Sequence, residues 1–161
     1  MLYCFLIIFM LVIVALDQLT KALVVAKIPV GEAVKALPGV FHLTHLHNTG
    51  AAFSMLEGGR WFFALICAAG LIVVAILIKK KVIESPFELW CLAAIFGGGI
   101  GNLIDRIRLG YVVDMIEVEF MNFAVFNVAD CFITCGAIAL FVYILFFDKS
   151  GKKEKNDDPA A

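Results

Sequence analysis

Long apolar blocks alternate with short polar ones along this chain. Four blocks, near Leu2–Val25, Trp61–Ile78, Glu88–Ile107 and Ala129–Phe147, approach the roughly 20 mostly apolar residues that a helix needs to cross a bilayer. The connection Ile28–Arg60 is too broken for a long helix: it carries Pro29, Gly31, Pro38, Gly39 and Gly50 beside extended-looking runs such as Val40-Phe41-His42-Leu43-Thr44. It predicts short strands and turns at a membrane surface. Tyr111-Val112-Val113-Asp114-Met115-Ile116, β-branched and apolar around one acid, predicts a strand leading back toward the membrane. The final segment, Lys149–Ala161, has almost no apolar residues and predicts a disordered tail. The expected organisation is one membrane domain over 1–148 and a tail over 149–161.

Composition strengthens this reading. The chain is 63% hydrophobic and 17% charged, with a mean hydropathy of +0.99, well outside the averages of soluble domains. The first block reads as a retained span, because it lacks a basic leading region and a small-residue cleavage site and continues through Asp17, Gln18 and Lys21. Net charge, −1, says little, but its distribution sets a topology. Lys79, Lys80 and Lys81 follow the second span, and Lys149, Lys152, Lys153 and Lys155 follow the fourth. The positive-inside rule therefore makes both termini and the 79–87 loop cytoplasmic and turns 26–60 and 108–128 outward.

Against this apolar background the polar residues stand out. An acid inside a span is expensive, so it is a functional-site hypothesis by default. Asp17 and Lys21 lie four apart on one helical face, where an ion pair forms. Asn102 and Arg106 repeat the spacing at the outer end of the third span, offering an amide and a guanidinium to a peptide or carboxylate. Asp105 beside Arg106 has two readings, a neutralising partner for that cation or a member of a structural polar cluster. Gly97 and Gly101 form a G-x-x-x-G seam suited to close helix packing. Asn127 is placed to cap the fourth span, with Asp130 in its first turn.

Asp114 and Asp130 reach the same outer surface from opposite sides of one connection. Two carboxyls that share a proton hold one neutral and one ionised partner. The ionised one takes a proton from an attacking water and the neutral one donates to the carbonyl oxygen or the leaving amine. That is aspartic-protease chemistry, requiring no cofactor and no metal, on a substrate held at the membrane boundary.

Five elements in order tie these residues to a known family: Asp17-Gln18-x-x-Lys21; Asn48-x-Gly50-Ala51-Ala52-Phe53; Gly101-Asn102-x-x-Asp105-Arg106; Gly110-x-Val112-Val113-Asp114; and Phe126-Asn127-x-Ala129-Asp130-x-x-Ile133. The chain resembles lipoprotein signal peptidase, or signal peptidase II, over nearly its whole length apart from the tail. The resemblance implies an all-α membrane protein of four transmembrane helices with a small extracytoplasmic β-rich element, in the bacterial cytoplasmic membrane. It implies Asp114 and Asp130 as the catalytic pair, with Asp17, Lys21, Asn48, Gly50, Asn102, Arg106 and Asn127 around them. The implied partners are membrane lipid and a prolipoprotein whose cysteine already carries diacylglycerol, cut just before that cysteine. No nucleic acid is expected, and a monomer is. Met115 departs from the aromatic residue expected after the acid, a change confined to local packing.

Other classes fit less well. Cys4, Cys67, Cys91, Cys131 and Cys135 suggest a thiol oxidoreductase, but no C-x-x-C occurs and all lie within spans. His42, His45 and His47 suggest a metallopeptidase, but no metal-binding spacing accompanies them, and surface or interfacial histidines are expected. A small proton- or ion-coupled transporter relaying through Asp17, Asp130 and Arg106 is the chief alternative. It lacks a visible repeat, and its polar groups gather toward one surface.

Overall fold

The computed structural model describes residues 1–49, 60–83 and 85–147. The element order is α1 (Leu2–Lys27), β1 (Ala33–Leu37), β2 (Phe41–Asn48), α2 (Arg60–Lys79), α3 (Pro86–Leu109), β3 (Val112–Val118) and α4 (Val128–Phe146). The helices fall within about two residues of the expected spans. Gly50 and the tail lie outside the described residues. Among the described residues, α1, α3 and α4 are long and apolar enough to cross a membrane. α2 occupies the place expected for the second span.

Local chemistry sets the helix ends. α1 stops where Ile28 turns extended, as it must in front of Pro29. α3 starts with Pro86 at its first position, while Glu88 reaches back to the Ser85 N–H, and it ends on Gly110 in the left-handed region at φ 83°. α4 starts on Asn127, whose side chain accepts the Asp130 N–H at 3.0 Å while the Asp130 carboxylate accepts the Asn127 N–H at 3.2 Å. Outward faces stay apolar, with Leu11 62% and Phe141 64% exposed, as surfaces solvated by lipid require.

α3 is the central helix and packs on α1, α2 and α4. Its glycine seam makes this possible. A Cβ on Gly97 would lie 3.2 Å from Ile13 of α1, and one on Gly98 would strike the Ala129 carbonyl oxygen of α4. Gly136 of α4 answers from the other side, where a Cβ would lie 2.9 Å from the Cys91 carbonyl oxygen. The seam brings polar stretches of three helices together at one end of the bundle.

A three-stranded antiparallel sheet, ordered β1-β2-β3, covers that end. Val113 and Met115 of β3 pack on Val24 of α1 and on Ile28 just after it in one buried cluster. A bulge in β2 between Leu43 and Leu46 shifts the pairing, so Leu46 faces Asp114 and Asn48 faces Val112. Phe126 closes the far edge by bridging Ile116.

Candidate active site

Lys21 anchors the polar end of the bundle. Its Nζ lies 2.8 Å from Asp17, 2.9 Å from Asp105 and 2.9 Å from the Asn102 side-chain oxygen, so all three of its N–H groups are used. Asp17 and Lys21 form the pair that their spacing predicted. Of the two readings of Asp105, the structural polar cluster holds: it faces α1 and pairs with Lys21. Neighbours on a helix point about 100° apart, so Asp105 turns inward while Arg106 turns toward the cavity beside β3.

Every carboxylate oxygen in this buried cluster accepts at least one hydrogen bond. Asp17 also accepts the Ala129 N–H at 3.0 Å, binding the start of α4 to α1. Asp105 accepts the Val113 N–H at 3.2 Å and the Gln18 amide at 2.9 Å, binding β3 to α3 and α1. Gln18 also donates to the Gly101 carbonyl at 3.2 Å. Gln18 and Asp105 were absent from the expected site, although both stand as polar residues in apolar helices. Gly101 is required here because a Cβ would lie 2.6 Å from the Asp17 Oδ2.

Two amides carry the network from Lys21 to the two acids. Lys21 only donates, which turns the Asn102 oxygen toward it and the Asn102 amide toward Asp130, 2.7 Å away. The Asp130 N–H likewise fixes the Asn127 oxygen, so the Asn127 amide points to Asp114 at 2.6 Å and to the Asn102 oxygen at 3.1 Å. Asn48, from the end of β2, donates to the other oxygen of Asp114 at 2.8 Å. Each acid therefore accepts two hydrogen bonds, and Asn102 and Asn127 link them.

The two acids differ in setting. Asp114 is 2% exposed, whereas Asp130 is half-buried. Burial pushes the Asp114 carboxyl up to about 6; the Asn48 hydrogen bond opposes the rise and the charge of Asp130 adds to it. Asp114 and Asp130 line one cavity of about 480 Å³ with Asn48, Asn102, Arg106 and Phe123. Arg106 reaches it from α3, with Nη1 3.4 Å from the Asn102 carbonyl oxygen.

The histidines lie apart from this cavity. His42 pairs with Glu119 at 2.8 Å. His45 corrects the surface expectation: it is 3% exposed, with Nδ1 2.7 Å from the Ile28 carbonyl oxygen. The end of α1 leaves that carbonyl without a helical partner, and the His45 ring supplies one.

Residues 9–146 match the family model described as Signal peptidase (SPase) II. The chain is 45% identical over 144 residues to a lipoprotein signal peptidase of Enterococcus faecalis, covering 89% of each chain. To a lipoprotein signal peptidase of Streptococcus thermophilus it is 43% identical over 141 residues, 88% of this chain and 92% of that one. A bacterial membrane enzyme solved by the in meso method at 2.3 Å superposes with a TM-score of 0.81 at 28% identity, over 97% of this chain and 93% of that one. A second, solved by the same method at 1.9 Å, gives 0.79 at 30% identity over 89% and 94%. With two acids wired together at the end of an apolar bundle, and with these matches across nearly its whole length, the chain belongs to the signal peptidase II family of membrane peptidases.

Proposed function

We propose that the protein is an aspartic endopeptidase that removes the signal peptide from diacylglyceryl-modified prolipoproteins, cutting just before the lipidated cysteine. The observation that carries this reading is the amide bridge: Asn102 and Asn127 hold Asp130 and Asp114 at one cavity mouth at the end of the spans. Supporting it, curated relatives at 45% and 43% identity are lipoprotein signal peptidases. Basic residues at 79–81 and in the tail support an orientation with the site at the outer face and both termini in the cytoplasm.

The difference in setting suggests the division of labour. Asp114, buried and raised to about 6, holds the proton of the pair. Asp130, more open and accepting from the Asn127 N–H and the Asn102 amide, is the base that activates water. Water bound between them gives a proton to Asp130 as its oxygen attacks the peptide carbonyl, while Asp114 protonates the carbonyl oxygen. Collapse of the tetrahedral intermediate breaks the C–N bond. The proton on Asp130 passes to the leaving amine, and Asp114 recovers its own from the hydroxyl. Lys21 and Arg106 offset the surplus negative charge of Asp17, Asp105 and the ionised acid.

Mapping the product tests this. The purified protein in lipid nanodiscs, given a diacylglyceryl-modified prolipoprotein, is expected to release a product whose first residue is the lipidated cysteine. Cleavage at another bond, or equal cleavage of the unmodified precursor, would overturn the proposal.

A further inference from the structure

A second network outside the cavity bears on the aim of Asn48. The Ile28 carbonyl is a pure acceptor, so His45 Nδ1 carries a hydrogen and donates to it at 2.7 Å. In the neutral ring this leaves His45 Nε2 as an acceptor. His47 Nε2 lies 3.2 Å away and therefore donates. The His47 ring stacks on Tyr111 with centroids 3.8 Å apart and planes 19° apart. Burial, and then the neighbouring His45, lowers the His47 pKa and so favours the neutral His47 ring.

The chain of contacts joins the end of α1 to both strands that carry the site. His47 immediately precedes Asn48 and pairs with Val113; Tyr111 enters β3 just ahead of Asp114. The backbone reinforces it, because the Gly31 N–H donates to the His45 carbonyl and the His45 N–H to the Glu32 carbonyl. The bulge at Leu43–Leu46 interrupts the regular ladder just ahead of His47 and Asn48, and His45 sits within it.

We propose that His45, His47 and Tyr111 form a positioning clasp, which ties the end of α1 to the terminus of β2 and thereby aims Asn48 at Asp114. The clasp touches no substrate. It rests on the reading of Asp114 as a catalytic acid, and it acts on that acid through Asn48.

The test uses His47→Phe, which keeps a ring against Tyr111 but removes the donor, and His47→Gln, which restores a donor near the same place. His47→Phe is expected to lower kcat about tenfold, with KM within about twofold, because a displacement of about 1 Å near reacting groups costs up to about a hundredfold. His47→Gln is expected to recover most of the loss. In an Asn48→Ala background, His47→Phe is expected to cost less than about twofold further, since the group it aims is gone. A merely structural role would give losses that multiply, with lowered thermal stability and no rescue. Unchanged kcat in His47→Phe, or a full tenfold loss on top of Asn48→Ala, overturns the clasp. Failure of the catalytic reading is distinct: it appears as full activity in Asp114→Asn, whatever His47 does.

Discussion

Replacing Lys21 by methionine tests the polar end of the bundle at its centre. Met matches the length of the lysine stem and removes the ammonium. Lys21 is 3% exposed, and it sits 2.8 Å from Asp17 and 2.9 Å from Asp105, themselves 0% and 3% exposed. Breaking a buried pair by removing one partner costs about 3–5 kcal/mol, because the remaining charge has no compensation. Here two carboxylates remain. Each retains a backbone donor, Ala129 for Asp17 and Val113 for Asp105, and Gln18 donates to both. These contacts favour the lower end, about 3 kcal/mol. The assay is reversible unfolding in mixed micelles with increasing denaturing detergent, followed by circular dichroism. Lys21→Met/Asp17→Asn removes one stranded charge and is expected to be more stable than Lys21→Met alone, with a coupling energy above about 1 kcal/mol. A Lys21→Met protein within about 0.5 kcal/mol of wild type, or a cycle additive within that margin, would refute the reasoning.

Three further outcomes follow from the same geometry. In the proposed mechanism Asp114 is the protonated member, and its folded value, about 6, lies above the ordinary 3.8. Its proton thus favours the folded, active form fully below 3.8 and is lost as pH rises through about 6, so kcat/KM is expected to fall along that limb. Asn48 stabilises the ionised form, so Asn48→Ala is expected to move the limb to higher pH by up to about one unit, the equivalent of about 1.4 kcal/mol; a shift to lower pH would count against the assignment. Gly101→Ala puts a methyl 2.6 Å from the Asp17 Oδ2. It is expected to cost about 1–3 kcal/mol in the same detergent assay, and a neutral result would show that α1 and α3 are less closely packed than described.

Much of this was legible in the sequence because two kinds of signal are local. Apolar block length located the four long helices among the described residues, and the i, i+4 spacing of Asp17 and Lys21 announced their ion pair. The Asn127 cap and the strand around Asp114 could also be read from their neighbours. What escaped depends on which helix lies opposite. Arg106 is the sequence neighbour of Asp105, but the partner of Asp105 is Lys21, because the glycine seam brings α1 against that face of α3. His45 escaped for a similar reason: its period-two place in a strand cannot reveal that the strand ends over α1, whose last carbonyls need a donor. The two amide bridges were recognised as polar positions, but their direction of donation follows only from Lys21 and the Asp130 N–H.

The central claim is that Asp114 and Asp130 are the two working acids, and isosteric replacement addresses it most directly. Cleavage of a diacylglyceryl-modified prolipoprotein should be measured for Asp114→Asn and Asp130→Asn in the same nanodiscs, with folding checked by unfolding midpoint. The account predicts that each variant remains folded and loses at least about a thousandfold in kcat/KM, a loss of about 4 kcal/mol in transition-state stabilisation. Turnover near the wild-type rate in either folded variant would contradict it.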